Sequence, residues 1–238
     1  MKSLTTRAIQ EKTSLALALV TLIVGLILLY IAIPHAWAGY INIPVEKNIS
    51  LVRSKHRLAA AKIPALIEHA QQSSSIINTA GYQQQLGELY YLQGLLSKTT
   101  AEDKNVLLNS SVAYLKASLI AAPANSLAWF ELASIQRDNN APNEDVKNAF
   151  LMSILTGPHE ANLVIPRLQQ LLALNIELSS EDQDQIQHQI ITGWSQSPKS
   201  FAKFLAKDKN GLQNIKPLLQ GPHESELNAM QRAAEKLR

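Results

Sequence analysis

The tetrapeptide Gly-Pro-His-Glu occurs twice, at 157–160 and at 221–224, and each copy sets a histidine beside a carboxylate. Two such pairs raise the chemistry of a divided metal site or of acid–base work. A zinc site of the helical H-E-x-x-H kind needs two histidines one turn apart, so that both rings reach one ion. The six histidines, at 35, 56, 69, 159, 188 and 223, show no such spacing, and the chain has no cysteine to stand in for them. Thiolate catalysis and disulfides are excluded with it. No phosphate loop, dinucleotide fingerprint or G-x-S-x-G occurs. Glu177, Glu181, Asp182 and Asp184 form an acidic cluster. Paired carboxylates hydrolyse glycosides, but these surround Ser179 and Ser180 at the start of a helical pattern, where acids cap a helix and meet its positive end. Lys199, Lys203 and Lys207 recur every four residues, which lines them along one helix face. That face could meet an acidic glycan or phospholipid headgroups, but an ordinary solvated surface is the favoured reading. No catalytic residue, metal site or cofactor is expected.

The elements around these residues explain them as punctuation. In the first copy Gly157 ends one helix, Pro158 starts a turn and Glu160 stands at the entrance of the next helix. The second copy precedes "SELNAMQRAAEKLR", with Leu227, Met230 and Ala234 on one face, and reads the same way. Composition agrees with helices throughout. Glycine and proline number 9 and 10 in 238 residues and aromatics are 5%, too few for a sandwich or barrel. A net charge of +3 is too mild for a nucleic-acid binder, and none is expected as a partner.

One stretch is built for lipid. Leu15 to Ile33 runs nineteen residues without a charge, about 28 Å of helix and close to the hydrocarbon thickness of a bilayer. Pro34 ends it, with Trp37 and Tyr40 beyond at headgroup level. Ala36-Trp37-Ala38 satisfies the small-x-small rule for signal cleavage, but the apolar run exceeds the signal-peptide length, which favours an uncleaved anchor. Lys2, Arg7 and Lys12 precede the span, so the positive-inside rule sets the N-terminus in the cytoplasm and the remainder in the periplasm of a bacterial inner membrane. Arg53, Lys55, Arg57 and Lys62 pull the other way. The expected organisation is a cytoplasmic tail at 1–13, an anchor at 14–34, a juxtamembrane linker and helix at 35–78, repeats at 79–160 and a C-terminal helical region at 161–238. Residues 35–48, flanked and broken by Pro34 and Pro44, read as extended. Ile49 to His69 read as helix that Pro64 breaks or kinks, and Gln71–Ser75 as polar punctuation.

From Gly81 the pattern is that of a helical repeat. Leu86-Gly87 followed by Tyr90 matches the first helix of a tetratricopeptide repeat (TPR), and after a loop around Thr99–Lys104, Ser111, Leu115 and Ser118 precede Pro123 at the offsets of its second helix. The next unit puts Trp129 six residues after Pro123, then Leu132 and Ala133, then Val146, Phe150 and Ser153 before Pro158. The two prolines are 35 residues apart, against a repeat of 34. Small residues let the paired helices approach and the large one fills the groove between them. The expected fold is all-α: one N-terminal transmembrane helix, then a TPR-like hairpin array with a helical C-terminal cap. First helices line the binding surface of such arrays, which nominates Gln84, Glu88 and Tyr91 from one unit and Phe130, Ser134 and Arg137 from the next as a partner-docking strip. Phe130 and Tyr91 read equally well as core.

The Trp-bearing repeat, "TGPHE", Arg167-Leu168, the polar stretch before Gln189–Trp194, Pro198 and the Phe201/Leu205 helix together resemble one group of proteins. These are small, N-terminally anchored TPR proteins of bacterial exopolysaccharide (Vps-type) biosynthesis and export systems. The resemblance covers about residues 80–206 and brings no catalytic residues. It implies an accessory, non-enzymatic role in polysaccharide assembly at the inner membrane, with proteins of that machine as partners. A periplasmic glycan-binding or glycan-modifying protein and a general scaffold of envelope biogenesis are the alternatives.

Overall fold

A computed structural model describes residues 2–54, 58–98, 100–174, 176–208, 210–221 and 223–237, with the backbone alone of residues 2–16. Lys55, Arg57, Thr99, Lys209 and Pro222 lie outside the described residues. The chain divides into two compact units, one ending at Asn78 and one beginning at Thr79.

The first unit is a long helix with a short one folded back on it. Helix α1 (Lys2–Arg53) is unbroken and carries Pro34 and Pro44 inside it. Residues 35–48 are therefore helical and not extended, and the helix does not end at Pro34. Each proline forfeits one backbone hydrogen bond, at a cost of about 3 kcal/mol. Tertiary burial supplies the offset. Ala38, Ile41, Val45 and Ile49 recur at helical spacing and are buried. They meet α2 (Ile63–Ile76) through its buried Ile63, Leu66, Ile67 and Ala70. Asn48 also donates from Nδ2 to the Pro44 carbonyl at 2.7 Å. The helix expected over Ile49–His69 parts before Pro64 and not at it: α1 ends at Arg53, a 3-10 turn covers Ala60–Lys62, and Pro64 sits in the first turn of α2. Proline fits there because the first-turn N–H has no helical partner to lose. Gln71–Ser75 continue α2 where punctuation was expected. Buried Ser73 returns its hydroxyl to the His69 carbonyl at 2.9 Å, which satisfies it within the seam.

The second unit is an array of helical hairpins: α3 (Ala80–Leu96) with α4 (Ala101–Ala121), α5 (Ser126–Asp138) with α6 (Asn143–Thr156), and α7 (Ala161–Leu172) with α8 (Ser180–Gln196). Helices α9 (Pro198–Lys207), α10 (Gly211–Leu219) and α11 (Glu224–Glu235) close it. Among the described residues there is no strand. Thr79, Thr100 and Asn125 cap α3, α4 and α5 with side-chain oxygens that accept from Tyr82, Asp103 and Ala128 amides. Because Thr100 caps α4, residues 101–104 are helical and the expected loop shortens. One continuous core runs through the array from Leu115 and Leu132 by way of Phe150 and Leu168 to Phe201 and Met230.

The repeat spacing acquires a chemical reason. Ser118 and Ser153, each five residues before a closing proline, donate to the carbonyls of Ala80 and Ser126 at 2.8 and 2.6 Å. Both acceptors are the first helical residue of the paired helix, so the same clasp recurs one unit later. Ser111 donates to the Gly87 carbonyl at 2.6 Å, and a Cβ on Gly87 would stand 2.8 Å from Leu115 Cγ. Trp129, six residues after Pro123, donates its indole N–H to that proline's carbonyl at 2.8 Å.

Candidate functional site

The strip nominated on α3 and α5 is brought together, but largely to bind itself. Gln84 donates from Nε2 to Glu131 Oε2 at 2.8 Å and accepts from Asn125 Nδ2 at 2.9 Å. Seven residues further along each helix, Tyr91 donates its hydroxyl to Asp138 Oδ2 at 2.6 Å. These are two rungs of one ladder joining neighbouring first helices. Burial, then the Asp138 carboxylate, pushes the Tyr91 phenol well above its ordinary range. Arg137 turns its guanidinium onto Asp138 Oδ1 at 2.9 Å. Ser134 continues the ladder to α7 by donating to Gln170 Oε1 at 3.0 Å. Phe130 leans on Phe150 with ring centroids 6.0 Å apart, and with Tyr91 it packs on the core. Glu88 is half-buried between the two rungs. Most of the expected docking strip is thus cement between hairpins.

The open apolar groove lies on the other side, between the second helices. Lys116, Leu119 and Ile120 of α4 form one wall, Asn148 and Met152 of α6 the other, and Trp129 and Leu132 of α5 the floor, around a volume of about 520 Å³. Ile120 is 85% exposed and Leu155 62%. Each stands three residues before its closing proline, so the two are equivalent positions of successive units. The sequence held this signal: large aliphatics at a register where the core is already filled.

The first Gly-Pro-His-Glu is the collar of a buried arginine. Arg167 on α7 is fully buried. Its Nε donates to Ser153 Oγ at 2.8 Å and its Nη1 to the Gly157 carbonyl at 2.7 Å. Gln189 of α8 donates to the Pro158 carbonyl at 3.1 Å, Gln196 to that of His159 at 3.2 Å, and Ser126 donates to the Glu160 carboxylate. Burial pushes the Arg167 guanidinium down to about 10, against the pull of Glu160. Gly157 ends α6 and Glu160 opens α7, as the capping grammar implied, and each residue of the motif is also tied to another helix. A signal for Arg167 existed: it interrupts the apolar stripe Leu163, Val164, Leu168, Leu171 of a strongly amphipathic helix.

The remaining candidates separate cleanly. Ser179 and Asp182 form a reciprocal capping box, each side chain accepting the other's backbone N–H at 3.1 Å. Asp182 also pairs with Lys147 of α6 at 3.0 Å. Burial alone would raise its carboxyl, but hydrogen bonds from Lys147 and Ser179 outweigh that and hold it below its ordinary value. Contacts with Glu144 and Asp182 raise Lys147 in turn. Glu177, Glu181 and Asp184 are exposed. Lys199, Lys203 and Lys207 are exposed along one face of α9, whose other face buries Phe201, Phe204 and Leu205. Among the described residues no three His, Asp or Glu side chains come together as metal ligands. Compared with known proteins, the chain matches no family and no curated protein.

Proposed function

We propose that this chain is a non-enzymatic adaptor, tethered to a membrane by α1, whose helical array docks a partner protein of an exopolysaccharide assembly or export machine. The observation that carries the reading is α1 itself, one helix long and apolar enough to cross a bilayer, with large apolar side chains exposed from Leu17 to Ile33. A tether of this kind confines the array to two dimensions and raises its effective concentration toward membrane partners. The groove between α4 and α6, with Ile120 at its rim, supports docking of an apolar segment there. The polysaccharide setting, the inner membrane and the TPR kinship rest on the resemblance over residues 80–206, and the periplasmic side on the positive-inside rule.

A photoreactive amino acid at Ile120 tests the reading. It should crosslink one envelope protein in cells, while the same residue at Lys203 gives no such product, and deletion of the gene should lower exopolysaccharide yield. A crosslinked partner unrelated to polysaccharide favours the general scaffold. Absence of a crosslink together with unchanged polysaccharide sinks the adaptor. The exposed lysine face of α9 supports the second reading, a glycan-binding protein. Retention on an acidic polysaccharide column, lost in Lys199/Lys203/Lys207→Ala, is its signature.

A further inference from the structure

We infer that the α1–α2 hairpin stands in the membrane on its uncharged end, so that Trp37 and Tyr40 of α1 and the Ser73–Ile76 end of α2 sit in the headgroup layer. The inference rests on the reading of α1 as a membrane span and adds where the folded part begins.

Three observations meet at this level of the hairpin. First, α1 carries no Asp, Glu, Lys or Arg from Thr13 to Val45. Those 33 residues make about 50 Å of helix, against about 30 Å of hydrocarbon and 40–45 Å with both headgroup layers. With Leu15–Ile33 filling the hydrocarbon, a headgroup layer of about 5–8 Å takes up the helix from Pro34 to near Ala38, and a Tyr40 side chain tilted toward the helix N-terminus reaches back into it. Second, α1 has two different faces there. Ala38, Ile41 and Val45 are covered by α2, whereas Trp37 and Tyr40 point away and are 57% and 66% exposed, their rings stacked with centroids 5.8 Å apart. With Ile33 and Ala36 they line a shallow apolar notch continuous with the span. An amphipathic ring exposed one turn beyond an apolar run is at home among headgroups and poorly placed in water.

Third, α2 returns to the same level without charge. The short connection makes the two helices antiparallel, which sets buried Ile63 beside the Ile49 end and buried Ser73 beside the Ala38 end. Beyond the apolar run, the described charged residues of the hairpin, Glu46, Lys47 and Arg53 on α1 and Lys62 and Glu68 on the returning arm, all lie toward its loop. Below them α2 reads Ala70-Gln-Gln-Ser-Ser-Ser-Ile76, polar enough for headgroups and free of any charge to desolvate. Charge is thus segregated along the hairpin axis on both arms at once, which a water-exposed hairpin has no reason to do.

The chain has no cysteine, so single labels report cleanly. Full-length Ser75→Cys and Ser50→Cys, both exposed positions, are labelled with the fluorophore NBD and reconstituted into phosphatidylcholine vesicles that contain a headgroup-region nitroxide lipid. The expected result is several-fold stronger quenching at position 75 than at position 50, in protein that floats with the vesicles. Floating protein with neither label quenched overturns the seating while the span stands. Equal strong quenching at both positions overturns it too, because the hairpin would then lie flat. Protein that does not float overturns the span reading and the seating together.

Discussion

Arg167 Nη1 lies 2.7 Å from the carbonyl oxygen of Gly157, and through that contact a turn between two hairpins is fixed to the middle of the next helix. The relationship explains why the turn carries glycine. A Cβ at position 157 would stand 2.6 Å from both Ser126 Cβ and Ser126 Oγ, so only hydrogen lets the strand of chain approach α5 closely enough to present its carbonyl to the guanidinium. The same tetrapeptide at 221–224 has a different task. Gly221 has φ +96° and open space around its missing Cβ, so what it supplies there is backbone freedom.

The two glycines therefore fail differently when replaced. Gly157→Ala should cost about 1–3 kcal/mol through overpacking, and Gly157→Asn more, because a longer side chain meets the same wall. Gly221→Ala should cost about 1–2 kcal/mol through left-handed strain. Gly221→Asn should recover part of that, because asparagine tolerates positive φ. Urea unfolding of the detergent-solubilised chain measures all four. Asparagine outperforming alanine at 157 would show that the close approach to Ser126 does not govern that site.

Tyr91→Phe keeps the ring in place and removes one rung of the ladder between α3 and α5. A loss of about 1.5 kcal/mol is expected at neutral pH, the worth of a hydrogen bond to a carboxylate. The sign of its pH dependence follows from the raised phenol. The folded state holds this proton more tightly than the unfolded state, whose value is the ordinary 10.0. The stabilisation is complete below pH 10 and declines as pH rises above it. The gap between wild type and Tyr91→Phe should therefore narrow in alkaline urea titrations; a gap that widens there contradicts the Asp138 contact.

How far these features were legible in the sequence depends on whether a residue's fate is decided locally. The α4–α6 pattern was readable because small and large residues stand at fixed offsets from Pro123 and Pro158, and the Ser179 cap because capping chemistry spans only three residues. The continuity of α1 was not readable from its prolines, which are local helix breakers. It is decided by burial of Ala38, Ile41, Val45 and Ile49 under a helix some twenty residues further on. Periodicity at those four positions was present, and the prolines masked it. The docking strip shows the converse. Repeat register correctly put Gln84, Tyr91 and Ser134 on first helices, but their acceptors Glu131, Asp138 and Gln170 come from the neighbouring unit. Only the packing of successive hairpins shows that the strip is already occupied.

Asp182→Asn leaves an oxygen for the capping box and removes the charge that faces Lys147. The pair is mostly buried, but Lys147 keeps Glu144 as a second partner, so a loss of about 1–2 kcal/mol is expected at pH 7. Because the folded carboxyl is held below its ordinary 3.8, the stabilisation is present above that value. It is lost as pH falls through it and on through the lowered one. Wild type and Asp182→Asn should then converge in stability below about pH 4, measured as urea midpoints across an acid series. Lys147→Met should show the same convergence from the other partner. Curves that stay parallel down to acid pH would place the stabilisation in packing instead of charge.

The sidedness of the array is the prediction with the widest consequence. Three basic residues, Lys2, Arg7 and Lys12, precede the span, and by the positive-inside rule they are the ground for the proposed cytoplasmic N-terminus. A single Ser225→Cys, at an exposed position in α11, should then react with a membrane-impermeant maleimide in intact bacterial cells, on a protein of full length. Labelling of a soluble form lighter by about 4 kDa, the mass of a removed signal segment, would mean that α1 is cut near Ala38. That cut would part Trp37 from Tyr40 and leave Tyr40 without its membrane, and the glycan-binding reading would move ahead. Labelling only after lysis would set the array in the cytoplasm, where Arg53, Lys55, Arg57 and Lys62 would be the retaining charges. The groove beside Ile120 would then have to serve a partner on the cytoplasmic face, and the search would turn to the enzymes that supply activated sugars there.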